Sequence, residues 1–247
     1  MDTILIDINC DVGEGIGNEA ELLPLISSCN IACGGHAGDE ITMQEVMQLA
    51  KQNDVKVGAH PSYPDKENFG RKTLNIANEE LKKSIKNQLD VFIKILEEAQ
   101  LPLHHIKPHG ALYNDVARNL SLAKVFLEVI KAYKEHCFLY APFGSIISKE
   151  AIEQGFQIKY EAFADRNYNA DLSLVARSQS NAIIEAPELV LEHLLNIAKN
   201  GKVISSTEES IVIKADTFCV HGDTSSALEI LTYLSEELPK NQIEIRK

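Results

Sequence analysis

Four things are scarce or missing in this sequence: a CxxC pair, a GK[ST] tripeptide, a long apolar run, and basic residues, of which there are 24 against 36 acidic ones. Each shortage closes a class of function. Five cysteines, Cys10, Cys29, Cys33, Cys137 and Cys219, form an odd set without CxxC spacing, which argues against a disulfide framework and against a structural zinc knuckle. They are expected to be reduced and half-buried, and small buried thiols at Cys10 and Cys33 are favoured over nucleophiles. The glycine-rich word "GEGIG" (Gly13 to Gly17) is not followed by GK[ST] and lacks GxGxxG spacing, so neither a P-loop nor a dinucleotide site is expected there. No stretch approaches the roughly 18 apolar residues of a membrane span. The opening "MDTILIDINC" carries Asp2 and Asp7 and is too short an apolar run for a signal peptide, so a cytoplasmic protein away from membranes is expected. A formal net charge of -12 repels phosphate backbones and excludes nucleic acid as a partner.

What is present alternates regularly. At 247 residues the chain is near the upper size for one hydrophobic core, and without repeats, low-complexity tracts or linkers it is expected to be a single domain over residues 1–247. Strands are predicted over Thr3 to Asn9, Val55 to His60, His104 to His109, Cys137 to Pro142, Gln157 to Ala164 and Asp216 to His221. Helices fall between them. Over Asn78 to Gln100, Leu81, Ile85, Leu89, Phe92, Ile93 and Leu96 recur at helical spacing. Another helix is predicted to open at Thr42, capping onto Glu45, with Ile41 stapled to Val46. A third starts near Pro187 and stops at Gly201. Strand and helix alternating over the whole length predict an α/β fold, a TIM-like (β/α) barrel with parallel strands, in preference to an open doubly wound sheet.

The polar words sit after the predicted strands: "NCDVGEG", "CGGHAGD", "HPSYPD", "KPHGALYN", "ADRNY" and "HGD". In a parallel barrel these ends share one face, so residues as distant as Asp11 and His221 can converge on one pocket. His36, His60, His109 and His221 follow successive strands and are read as a site set. His104, His105, His136 and His193 lack glycine-rich or acidic company and are read as structural. Side chains two apart share a strand face, which pairs Lys107 with His109 and Asn9 with Asp11.

The words "DINCDVGEG", "NIACGGHAGD", "GAHPSYPD" with "FGRK", "IKPHGALYN", "FADRNY" and "CVHGD" resemble, in order and spacing, the LamB/YcsF family from Asp7 to about Asp223. The resemblance implies a barrel related to the glycoside hydrolase and metal-dependent deacetylase barrels. It also implies ATP-dependent opening of 5-oxoproline to glutamate, with ATP as cosubstrate and with two further subunits, B and C. Opening a lactam in this way needs cations for phosphate, a base for water and donors for an oxyanion. Catalytic candidates are Asp11, His36, His60, Lys107, His109, Asp165 and His221; binding candidates are Asn9, Glu14, Asn30, Tyr113, Arg166, Arg177 and Asp223. A divalent ion such as magnesium and a homo-oligomer are compatible with this reading. Two other functions are open: a stand-alone metal-dependent amidohydrolase or carbohydrate deacetylase with some of Asp11, His36, His60 and His221 around one divalent ion, and a subunit that only delivers substrate to partners.

The sequence departs from the family words at three places. Gly35 stands where an aromatic is usual, which is expected to enlarge the pocket beside His36. Glu40 stands where proline is common. The segment "RSQSNAII" lacks the usual glycine, with Asn181 expected to take the left-handed backbone in its place.

Overall fold

The computed structural model describes residues 3–247. In chain order the strands and helices are β1 (Ile4–Ile6), β2 (Ile8–Val12), α1 (Glu19–Leu22), β3 (Ser28–Ala32), α2 (Glu40–Gln52), β4 (Lys56–His60), α3 (Asn78–Glu98) and β5 (His105–Ile106). There follow α4 (Gly110–Arg118), α5 (Leu120–Ile130), β6 (Phe138–Pro142), α6 (Ile146–Glu153), β7 (Gln157–Phe163), α7 (Pro187–Asn200), β8 (Lys202–Ile204), β9 (Ser210–Val212), β10 (Thr217–Val220), α8 (Ala227–Glu237) and β11 (Ile243–Ile245). Strands β2 to β7 pair in sequence order, and β10 closes the barrel by pairing with both β7 and β2, every pair being parallel. The barrel has seven strands, because β8 and β9 form a separate antiparallel hairpin in the connection from β7 to β10. Among the described residues no helix is long and apolar enough to cross a membrane.

Alternation along each strand separates two environments. Ile8, Cys10, Cys29, Ile31, Val57, Ile106, Leu139 and Phe218 belong to the apolar core of the protein. Their neighbours Asn9, Asp11, Ser28, Asn30, His60, His105, Glu161 and Thr217 are buried too, and they are polar. Barrels of this kind are ordinarily filled with branched aliphatic side chains. Here the interior is a hydrogen-bonded column. Its foot is Asp7, whose Oδ1 accepts from Ser28 Oγ at 2.8 Å and Thr217 Oγ1 at 2.7 Å.

Asp7 also explains why the predicted strand Thr3 to Asn9 is two strands. Pulled into the barrel by those hydroxyls, it ends β1, which pairs outside the barrel with β11 (Ile4 opposite Ile243). The other strand predictions hold with ends trimmed by a residue or more, and the His104 to His109 segment is regular only at His105–Ile106. The predicted cap at Thr42 is displaced: α2 starts at Glu40, and the capping side chain is Asp39, whose Oδ1 accepts from Thr42 N at 2.9 Å. An ionised carboxylate is the stronger acceptor for the free amides of a first turn. Helix α3 buries Leu81, Ile85, Leu89, Phe92 and Leu96 as the periodicity requires, and Gly201 ends α7 in the left-handed region at φ +61°.

Candidate active site

The carboxyl ends of the barrel strands carry a layered site. At its base Asn30 Nδ2 donates to Asn9 Oδ1 and to Asp11 Oδ1, both at 2.7 Å, and Asn9 Nδ2 donates to Thr217 Oγ1 at 2.8 Å. Both asparagines are completely buried. They lie beneath the site and fix Asp11, so the expectation that they touch substrate gives way to a positioning role. His105, read as structural, belongs to this layer: its Nε2 donates to Asn30 Oδ1 at 2.6 Å and its ring stacks on Tyr140 at 3.9 Å. Room for that ring comes from Gly58, where an added Cβ would lie 2.1 Å from His105 Nε2.

Above this base sits Lys107. Its ammonium is 2.9 Å from Asp11 Oδ1, 2.9 Å from Glu161 Oε1 and 3.2 Å from Cys219 Sγ, with the Phe163 ring 5.3 Å away. Burial pushes its pKa down, but Asp11, Cys219 and Glu161 outweigh that and hold it well above the lysine range. Burial likewise pushes Asp11 up, while His60 and Lys107 hold it well below the usual carboxylate range. Glu161 was not singled out from the sequence; the signal was an acid at an inward position of a barrel strand, two residues before Phe163. Among the described residues the Tyr113 hydroxyl is buried without a hydrogen-bond partner, and burial together with Glu161 pushes its pKa up.

On one side of Lys107, His221 receives orientation from Asp165. Its backbone N–H donates to Oδ2 at 2.8 Å, and its Nδ1 is 3.0 Å from both carboxylate oxygens. A carboxylate only accepts, so Nδ1 carries the proton and Nε2 presents a lone pair. Burial raises the Asp165 pKa, but His221 and its amide outweigh this and hold it low. His221 groups with Asp11 and Cys219. The Lys107 ammonium occupies the space between Asp11 and Cys219, which closes that trio to a cation. Of Asp11, His36, His60 and His221, the structure gathers His36 and His60 with Glu14 and His109, and Asp11 and His221 with Cys219.

On the other side, His36, His60 and His109 surround Glu14. His36 Nε2 lies 2.8 Å and His109 Nδ1 3.3 Å from Glu14 Oε1, and His60 Nε2 lies 3.4 Å from Asp11 Oδ2. The rings of His36 and His109 stack at 3.6 Å, with Phe69 edge-on to both. Gly70 permits this approach, since a Cβ there would meet His36 Cβ at 2.9 Å and His109 Cδ2 at 3.0 Å. Burial pushes His36 down to about 4 and lowers His109, so both rings are neutral near pH 7.

The rim is cationic. Arg71 pairs with Asp223 across the strand ends, and Arg177 Nη2 lies 3.8 Å from Asp223 Oδ1. Arg71 comes from the word "FGRK" and had no role assigned from the sequence. Arg166 is buried instead, donating to the carbonyls of Ala182 (3.0 Å) and Val175 (2.6 Å); it clamps the loop that carries Arg177. Asn181 is not in the left-handed region; its carbonyl accepts from Asn167 Nδ2 at 2.8 Å. Nor does Gly35 leave a hole. Ser62 and Gln88 fill its place, exchanging Ser62 N–H to Gln88 Oε1 (3.0 Å) and Gln88 Nε2 to Ser62 O (2.9 Å), and a Cβ at 35 would lie 2.5 Å from Gln88 Oε1.

All five cysteines are buried and free. Burial pushes the Cys10 thiol far up and Cys33 to about 12, which leaves neither of them a thiolate.

A family model described as the LamB/YcsF family matches residues 6–247. A protein named as the A subunit of 5-oxoprolinase in Haemophilus influenzae (strain PittGG) is 39% identical over 240 residues, covering 97% of this chain and 98% of that one. Its counterpart of the same name in Pyrococcus horikoshii is 38% identical over 245 residues, 97% of this chain and 96% of its own. Among solved structures, a lactam utilization protein from Thermus thermophilus superposes with a TM-score of 0.91 at 33% identity, covering 98% of this chain and 99% of that one. The match spans every barrel strand and every loop of the rim, and by that measure the chain belongs to the LamB/YcsF family.

Proposed function

We propose that this chain is the A subunit of an ATP-dependent 5-oxoprolinase, acting in the cytoplasm with subunits B and C to convert 5-oxo-L-proline, ATP and water to L-glutamate, ADP and phosphate. The observation that carries the reading is similarity, over nearly the whole of both chains and at 38–39% identity, to proteins named as the A subunit of 5-oxoprolinase. The site chemistry supports it. Resonance between nitrogen and carbonyl makes a lactam a poor electrophile; transfer of the ATP γ-phosphoryl group to the carbonyl oxygen, with ADP leaving and the ring N–H proton lost, gives a phosphorylated imidate that water attacks more readily. A first water attacks the activated carbon, and the ring C–N bond breaks to release the amine of glutamate and leave a γ-glutamyl phosphate; a second water then cleaves that acyl phosphate to the carboxylate and phosphate.

Each step finds a group at the rim. His221 Nε2, its tautomer fixed by Asp165, takes the proton of the attacking water. Lys107, held cationic by Asp11 and Glu161, donates toward the oxygen on which charge develops. Arg71 and Arg177 meet the substrate carboxylate or the phosphate once Asp223 releases them. Nucleotide is held by a loop of unfamiliar type or by a partner subunit, since this chain has no P-loop. Release of glutamate and phosphate from 5-oxoproline plus ATP tests the reading, with this chain alone, with its two companions, and with each component omitted. Turnover that needs this chain, both companions and ATP is expected. Hydrolysis by this chain without ATP would replace the reading with a stand-alone amidohydrolase.

A further inference from the structure

Where the protons lie in the histidine cluster can be deduced from its acceptors. His60 Nδ1 is 2.8 Å from the Lys107 carbonyl and His109 Nε2 is 2.9 Å from the Phe69 carbonyl. A carbonyl accepts only, so each of these nitrogens carries a proton, and the lone pair of each ring lies at the other nitrogen. Those two lone-pair nitrogens, His60 Nε2 and His109 Nδ1, face each other at 2.9 Å. Glu14 Oε1, a third lone-pair donor, is 3.3 Å from His109 Nδ1 and 4.0 Å from His60 Nε2, and His36 Nε2 is 2.8 Å from that oxygen. All four donors are buried and within 4.8 Å of one another.

Facing lone pairs repel unless an electrophile lies between them. Nitrogen and oxygen ligands about 2.0–2.2 Å from a metal, at angles of 90–110°, are themselves about 2.8–3.6 Å apart, a spacing met by His60–His109 at 2.9 Å, Glu14–His109 at 3.3 Å and Glu14–His36 at 2.8 Å, with Glu14–His60 wider at 4.0 Å. The carbonyl partners of His60 and His109 are the outer contacts that fix the tautomer of a ligating imidazole. We propose that Glu14, His60 and His109, joined by His36 through Nε2, form a binding site for one first-row transition-metal dication such as zinc, cobalt or manganese. Magnesium, the ion compatible with the sequence reading, fits poorly, because it takes oxygen ligands and keeps its waters, whereas three of these four donors are imidazole nitrogens. The site borders Asp11, and so the pocket that holds Lys107.

The inference does not rest on the lactam reading, and its test needs no turnover. The full-length chain is stripped with chelator and titrated with cobalt(II), read by its visible d–d absorption, and with zinc(II), read by calorimetry. One equivalent of each is expected to bind, with affinity at least tenfold lower in Glu14→Gln and His109→Gln and unchanged in His136→Gln. Should the site variants fail to fold, the stripped wild type still decides: zinc at tenfold excess is expected to raise its thermal midpoint and to abolish the cobalt spectrum. Binding of less than 0.1 equivalent of either ion by folded wild type, or equal affinity in a folded His60→Gln/His109→Gln protein, would overturn the proposal and leave a shared proton between the two rings.

Discussion

Two pairs of histidines meet nitrogen to nitrogen inside this barrel, His104 with His105 at 3.0 Å near the foot and His60 with His109 at 2.9 Å near the rim. At the foot the protons close into a chain. His105 Nε2–H donates to Asn30 Oδ1, which leaves Nδ1 as an acceptor for His104 Nδ1–H; Asn30 then donates to Asn9, Asn9 to Thr217, and Thr217 to Asp7. At the rim the same count fails, because both rings spend their proton on a carbonyl and turn lone pairs toward each other. Among the described residues, His36 Nδ1 and the Tyr113 hydroxyl nearby are buried with no hydrogen-bond partner, and at the foot Asp7 Oδ2 is too, with Lys56 Nζ 3.8 Å from it. A buried polar group without its partner costs free energy, so the foot, bonded at every group but that one oxygen, is where the polar column stabilises the fold, and the rim is where an ion or substrate has more to complete.

Substitutions in the two zones sharpen this contrast. The largest loss of stability is expected from Lys107→Ala, which strands two buried carboxylates, Asp11 and Glu161; removing one partner of a buried ion pair costs about 3–5 kcal/mol, read as a lowered urea midpoint. Turnover should vanish with it. Asn30→Ala, at the foot, leaves Asn9, Asp11 and His105 each short of a bond and is expected to cost about 1–3 kcal/mol. Arg71→Ala breaks a partly exposed pair and should change stability by less than about 1 kcal/mol, while raising the KM for 5-oxoproline. A midpoint loss for Arg71→Ala as large as that for Asn30→Ala would erase the distinction between rim and foot.

The foot also sets a pH slope. Burial first, and Lys159 second, push His104 down to about 4, against an ordinary value of 6.5. Between those values the unfolded chain binds a proton that the folded one refuses, so stability falls as pH drops from 6.5 toward 4 and the loss levels off below that. His104→Asn should flatten part of this slope in urea melts at pH 7, 5.5 and 4.5. An unchanged slope would mean that the foot tolerates an imidazolium.

Much of this arrangement was legible in the residues. Parallel strands with polar words at their ends were enough to expect a barrel with its site on one face, and the parity of Asn9 with Asp11 and of Lys107 with His109 held. What escaped was set by contacts across the barrel. Glu161 and Arg71 acquire roles only through Lys107 and Asp223, more than fifty residues away in each case. Arg166 looked like a free cation, because nothing local shows that the carbonyls of Val175 and Ala182 fold back onto it. At Gly35 the ring expected from the family word is missing, yet Gln88 reaches over from α3 to fill the space, a packing substitution invisible to local reading. The break at Asp7 likewise depends on Ser28 and Thr217, which arrive from other strands.

The most direct test of the account replaces His221 by asparagine and measures turnover of 5-oxoproline with ATP in the mixture of three subunits, alongside the circular dichroism of the purified variant. Loss of a general base oriented by Asp165 predicts a fall in kcat of about 100-fold or more with the fold unchanged. A folded His221→Asn protein that supports turnover within about twofold of the wild type would contradict the claim that the barrel rim of this chain carries out the chemistry.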